Sequence, residues 1–281
     1  MPVIPVHQDP VTAEYFKRQA EKDSAVQQLR SFEMKLALKR DVCFVPGWAG
    51  EDGQCWMEPY DGALKGHAAM RWWMERLVSS AGQQRVHFLT FSREESQARA
   101  SFLEFAGLLK DKIHEVVGAK APVDLVCHSM GSLDAIAAIA QPPTPLQQVA
   151  TLVAVGSPLQ GIFYGKLVKP IDELLPFLRW EPHHYIQVRN LNAEAAPMRL
   201  INTLETRQRL LNRVSALYTL EGTQDAVVMR SARLRTDGLS AVLRRKITPR
   251  AIDGATHTGP AGITQDPRTA RDIVSILAGL L

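Results

Sequence analysis

Short apolar runs recur along this chain at wide intervals: Val42–Val45, Val86–Phe91, Val123–Cys127, Val149–Val155 and Val214–Leu220. Each is too short for a helix, and most are rich in branched or aromatic residues. That is the pattern of strands buried on both faces. The stretches between them repeat at helical spacing. Residues 66–80 put Met70, Trp73, Met74 and Leu77 on one face, and residues 94–117 do the same with Phe102, Phe105, Leu109, Ile113 and Val116. Residues 130–140 are small and apolar, and residues 267–280 predict a closing helix. Strands alternating with helices predict an α/β fold, with a mostly parallel central sheet flanked by helices on both faces.

Two parts stand outside this alternation. Residues 11–38 are polar and mostly good helix formers, so residues 1–40 are expected to form an N-terminal helical extension packed on the core, leaving 41–281 as the α/β domain. Residues 159–213 mix apolar side chains with Pro and Gly and show no clean strand–helix unit. At roughly 50 residues this segment is long for a plain connection, so a cap or lid over the site is expected. A pair of ordinary crossover helices is the alternative.

Composition changes the picture little. The chain has 281 residues, 46% hydrophobic and 22% charged, with formal net charge +4 and a pI of about 9.0. That suits one large domain with a sizeable core. Basic residues cluster between Arg230 and Arg250 against a single acid, Asp237. A solvated surface is the plain reading of this cluster, and attraction to an anionic lipid surface the sharper one. No aromatic residue interleaves it, so nucleic-acid binding is not expected. Cys43, Cys55 and Cys127 are odd in number and lack metal-site spacing, so neither a disulfide framework nor a metal is expected. The N-terminal residues lack the basic start and apolar core of a secretory signal, and no stretch is apolar over a membrane's width. The expectation is a cytoplasmic protein, with signal-less export left open.

The sharpest chemical signal is Asp124-Leu-Val-Cys-His-Ser-Met-Gly-Ser132. An apolar strand runs straight into Ser129, and a helix of small residues follows. Such a strand–turn–helix presents a serine on a strained turn at the end of a sheet. The positions two before and two after the serine must be small, and Cys127 and Gly131 satisfy this.

A serine hydroxyl needs a base within hydrogen-bond reach, and the base needs an orienting partner. On this kind of sheet the partners follow in the order serine, acid, histidine. Asp225 comes just after the strand-like Val214–Leu220, and His257 sits in a Gly-flanked loop before the last helix. Glu221 and Asp253 are rival acids. His128 reads as a packing residue beside the turn. Candidate donors to an oxyanion are the backbone N–H of Met130, after the serine, and that of Trp48, after the Pro46-Gly47 turn that ends the first strand.

These residues resemble the triacylglycerol lipase and esterase branch of the α/β hydrolases. His128-Ser-Met-Gly-Ser-Leu-Asp134 is similar to that family's nucleophile segment HSMGGLD, and Val153-Ala-Val-Gly-Ser-Pro-Leu-Gln-Gly161 to its segment LGSPHRG. Phe44-Val-Pro-Gly-Trp48 resembles the oxyanion loop, Gly222-Thr-Gln-Asp-Ala-Val-Val228 the acid loop, and Thr256-His-Thr-Gly259 the histidine loop. The departures are Pro46, Cys127, Ser132 and Leu159.

The resemblance implies the α/β-hydrolase fold and a serine carboxylic-ester hydrolase without a cofactor. Ser129, His257 and Asp225 would be catalytic, and residues 159–213 would form the lid. Leu159 and Phe163 would meet the substrate, a hydrophobic acyl ester or lipid. Thioesterase, amidase and acyltransferase chemistry use the same machinery. A non-catalytic ligand-binding module on the same scaffold is the reading from another class.

Overall fold

The structure is a computed structural model. It describes residues 10–30, 38–47, 54–57, 69–92, 94–95, 98–99, 101–119, 121–141, 145–146, 149–162, 187, 189–228, 232–257 and 262–281. Six strands form one sheet in the order β2-β1-β3-β4-β5-β6. They are β1 (Asp41–Val45), β2 (Val86–Phe88), β3 (Val123–His128), β4 (Val149–Val155), β5 (Ala216–Gly222) and β6 (Ile247–Ile252). Every neighbouring pair runs parallel. This is the expected architecture, a parallel sheet flanked by helices.

The helices that fix the site are α1 (Pro10–Arg30), α2 (Met70–Leu77), α3 (Phe102–Val117), α4 (Gly131–Ala140), α5 (Leu204–Arg213) and α6 (Pro267–Ala278). The strands' alternating side chains feed two cores. On one face, Cys43, Leu125, Cys127 and Leu152 pack with Phe102 and Ile113 of α3, Leu133 and Ile136 of α4, and Leu210 of α5. On the other, Phe44, Val126, Val153 and Leu220 pack with Met70 and Trp73 of α2, Ile273 of α6 and Leu29 of α1.

The periodicity located α2 and α3 but overran their ends. Val116, expected on the inner face of α3, is 40% exposed. Strand β6 was not expected at all. It is the sheet's edge, its burial is patchy, and Pro249 sits in the middle of it, so it lacks the apolar run that marks a central strand. It also passes through the basic stretch, much of which is internally paired. Arg235 meets Asp237 at 3.1 Å, Arg250 meets Asp272 at 3.1 Å, and Lys246 donates to the carbonyls of Leu211 and Val214.

Between β4 and β5 the chain carries further helical segments, Ala196–Ile201 and α5. Both pack against α4, so the end of the 159–213 interval also joins the helical layer flanking the sheet. Residues 163–186, the body of the expected cap, lie outside the described residues. Helix α1 lies against α6. Among the described residues no helix is long and apolar enough to cross a membrane.

Polar contacts fasten α1 and the histidine loop to α6. Asp266 is the N-cap of α6 and accepts from Arg268 N at 2.9 Å. It also pairs with the Arg268 guanidinium at 2.8 Å and with Lys22 of α1 at 3.6 Å. Arg268 reaches on to the Asp253 carbonyl at 2.6 Å and to Glu21 at 3.2 Å. Burial alone would raise the pKa of Asp266, but the Arg268 hydrogen bonds and charge outweigh it and hold the carboxyl below its ordinary value. A lowered carboxyl pKa stabilises the fold above the unfolded-state value and loses that contribution as pH falls.

Two substitutions test this account. Asp266→Ala removes the buried carboxylate partner of Arg268 and leaves it Glu21 and the Asp253 carbonyl, so unfolding free energy should fall by about 1–3 kcal/mol. In denaturant titrations the wild-type advantage over this variant should shrink as pH drops below about 4. Gly131→Ala should also destabilise. Helix propensity alone favours alanine by about 1 kcal/mol, but its Cβ would lie 2.2 Å from the Pro46 carbonyl oxygen. A lower Tm for Gly131→Ala is expected, and a higher one would contradict the close approach.

Candidate active site

Parallel strands end on one edge of the sheet, so the loops after β1, β3, β5 and β6 can meet there. Ser129 follows β3 directly and takes a left-handed backbone, φ 50°, the sole non-glycine residue with positive φ among those described. Such a conformation costs of order 1–3 kcal/mol and persists only where the surroundings enforce it. Here the backbone of the β1 loop does so. An ideal Cβ on Gly47 would lie 2.8 Å from Ser129 Cβ, and one on Gly131 would strike Pro46. Cys127, where the lipase segment it resembles has glycine, pairs in register with Val45 and is fully buried.

Ser132, a second departure in the same segment, is explained by a polar partner. Its hydroxyl lies 3.0 Å from the Cys127 carbonyl and 2.5 Å from Ser157 Oγ, tying α4 to the loop after β4.

The structure brings three distant side chains together. His257 Nε2 lies 3.0 Å from Ser129 Oγ, and His257 Nδ1 lies 2.9 Å from Asp225 Oδ2. An ionised carboxylate only accepts, so the imidazole proton sits on Nδ1, and the serine hydroxyl donates to Nε2. The other oxygen of Asp225 accepts from the backbone N–H groups of Val227 and Val228 at 3.0 and 2.9 Å. Asp225 is 4% exposed. The rival acids are engaged elsewhere: Glu221 pairs with Arg233, and Asp253 accepts from Thr223 at 2.8 Å and Arg18 at 2.8 Å.

Gly156 adjoins this arrangement. Its φ of +54° would strain any other residue, and a Cβ there would crowd Ile263 Cγ2 at 3.1 Å while only touching Asp225 Oδ2 at 3.5 Å and His257 Nδ1 at 3.6 Å. Its signal in the sequence was the Gly-Ser-Pro turn after β4.

Met130 follows Ser129 at the start of α4, where backbone N–H groups lack helical acceptors and are available to an anion. Trp48 and Phe163 lie outside the described residues. Leu159 is described and is fully buried within the core cluster, so it packs the fold rather than presenting a surface to substrate.

The neighbouring thiols are inert. Burial, with Asp41 nearby, pushes Cys43 up to about 12, and burial first, then Asp134, raises Cys127 well above the ordinary thiol value. Neither forms the thiolate that nucleophilic attack requires. Among the described residues no group of His, Cys, Asp or Glu side chains converges to hold a metal ion.

No family model matches the chain, and no curated protein matches it. Solved structures do. Aspergillus fumigatus lipase B superposes with TM-score 0.57 at 15% identity, over 85% of this chain and 52% of that one. Legionella pneumophila phospholipase PlaB gives 0.55 at 14% identity, over 84% of this chain and 59% of that one. A metagenomic carboxyl esterase gives 0.52 at 16% identity, over 88% and 78%. The chain therefore spans little more than half the length of the lipase and the phospholipase. Likeness at this level of identity speaks to architecture, and with the parallel sheet described above it shows that this chain has the α/β-hydrolase fold.

Proposed function

We propose that the protein is a serine carboxylic-ester hydrolase that acts on a hydrophobic acyl ester through an acyl-enzyme intermediate. The observation that carries this reading is the continuous hydrogen-bonded chain from Ser129 through His257 to Asp225, 3.0 and 2.9 Å long at its two links. The names borne by the structural neighbours, lipase, phospholipase and carboxyl esterase, agree with it.

Each residue then has one task. Ser129 Oγ attacks the ester carbonyl carbon and passes its proton to His257 Nε2. Asp225 holds the Nδ1 proton, so Nε2 is free to accept, and it stabilises the imidazolium that forms. The carbonyl oxygen becomes an oxyanion, which the N–H of Met130 would meet, with that of Trp48 as second donor. Each such donor lowers the barrier by about 2.7–4 kcal/mol. The intermediate collapses, His257 returns its proton to the departing alkoxide, and the alcohol leaves an acyl ester on Ser129. Water repeats the sequence: it gives a proton to His257 and attacks the acyl carbon, then the acyl–Oγ bond breaks, His257 returns the proton to Ser129 Oγ and the carboxylic acid leaves.

A series of p-nitrophenyl esters of rising acyl length tests the reading. The wild type should hydrolyse them with kcat/KM increasing from acetate toward longer chains. Ser129→Ala should lose at least about 10⁴-fold in kcat at nearly unchanged KM. Hydrolysis by Ser129→Ala at the wild-type rate would sink the proposal. Asp225→Asn keeps the shape but leaves the imidazole in the wrong tautomer, so kcat should drop by about 10⁴-fold. Its circular dichroism spectrum should match the wild type's.

A further inference from the structure

His128 ends β3 and is 4% exposed. Among the described residues its buried Nε2 has no hydrogen-bond partner. A buried polar atom left unmatched costs about 1–3 kcal/mol, and a plain packing role would be filled better by an apolar residue. The placement of the ring supplies a reason for the cost. Its centroid lies 5.0 Å from that of His257, with the two planes tilted by 34°. On another side the Trp56 ring meets it edge-on at 6.1 Å. Trp56 is itself fixed, because its indole N–H donates to the Val45 carbonyl at 2.9 Å and its ring packs against Phe44. Gly47 closes the remaining side, where an ideal Cβ would lie 3.1 Å from His128 Nδ1. The ring is thus wedged between a braced tryptophan, the β1 loop and the imidazole of His257.

We propose that His128 is a positioning residue for the ester hydrolysis described above, propping His257 from the end of β3 and presenting an uncharged polar edge to the imidazolium that forms there. The inference rests on the reading of Ser129, His257 and Asp225 as the reacting groups. Burial first, and then the charge of a protonated His257, push the His128 pKa well below the ordinary histidine value, with the His257 carbonyl opposing them. The ring therefore stays neutral while its neighbour gains a proton. Among the described residues the titratable side chain facing His128 is His257, from the loop before α6. Ser129 adjoins it, and Trp56 and Gly47 bring no charge. His257 in turn meets Asp225.

The test compares His128→Leu and His128→Gln with the wild type, with Ser129→Ala as control. Leucine removes the unmatched nitrogen at similar volume, together with the ring's contact to the His257 carbonyl, so Tm should change little. Its kcat on a p-nitrophenyl ester should nevertheless fall about 10-fold, because His257 loses its prop and the imidazolium a polar neighbour. KM should change little. The acidic limb of the kcat/KM profile should move to lower pH, because an apolar neighbour disfavours the cation. Glutamine restores a neutral polar edge and should recover most of the lost kcat and the position of the limb. Wild-type kcat and an unmoved limb in His128→Leu would overturn the proposal. So would a loss that glutamine does not recover and a lowered Tm accounts for. If Ser129→Ala keeps full activity, the hydrolase reading itself has failed, whatever the His128 variants do.

Discussion

The turn at Ser129 depends on two backbones coming closer than any side chain would allow. The loop after β1 presses its Pro46 carbonyl against the first residue of α4, and its Gly47 against Ser129 itself. Glycine at 47 and 131 is what permits that contact, and the contact holds a serine at φ 50°. An unstrained serine would continue the strand or begin the helix, with its hydroxyl turned into the packed interior. The strain instead lifts it to the edge of the sheet, where strands that all run the same way deliver the loops after β5 and β6. Asp225 and His257 need no strain of their own. They arrive at the ends of chain segments that the parallel topology already brings to that edge.

Charge is sorted around this point with little redundancy. Of the carboxylates near the loops, Glu221 is taken by Arg233, Asp253 by Thr223 and Arg18, and Asp266 by Arg268 and Lys22. Asp225 accepts from two backbone N–H groups and from the imidazole. Because the histidine loop is tied through Asp253 to α1 and through Arg268 to α6, the position of His257 depends on polar contacts from both ends of the chain. The N-terminal helix thereby contributes to the site without approaching it.

The central strands and the Ser129 turn were legible in the sequence because both are strict local patterns. Buried parallel strands must be apolar throughout, and a strand–Ser–small–helix turn tolerates few residues. The order of Ser129, Asp225 and His257 was readable for the same topological reason. Strand β6 was not legible, because an edge strand needs no apolar run and this one carries Pro249 and Arg250. Leu159 was misread as facing substrate, since an apolar residue after β4 looks the same whether it lines a cleft or fills a core. Order along the chain favoured Asp225 over Glu221 and Asp253. That His257 meets Asp225 while Arg233, Thr223 and Arg18 occupy the other two is visible only in three dimensions. His128 was read as packing, and its unmatched nitrogen could not be seen without its neighbours.

The most direct measurement is the site of covalent capture by a fluorophosphonate, read by intact mass and peptide mapping. A serine activated by the His257–Asp225 pair should take up one equivalent, with the adduct on Ser129, and labelling should be lost in Ser129→Ala and sharply slowed in Asp225→Asn. A native, folded protein that takes up no label, or that carries it on a different residue, would contradict the account.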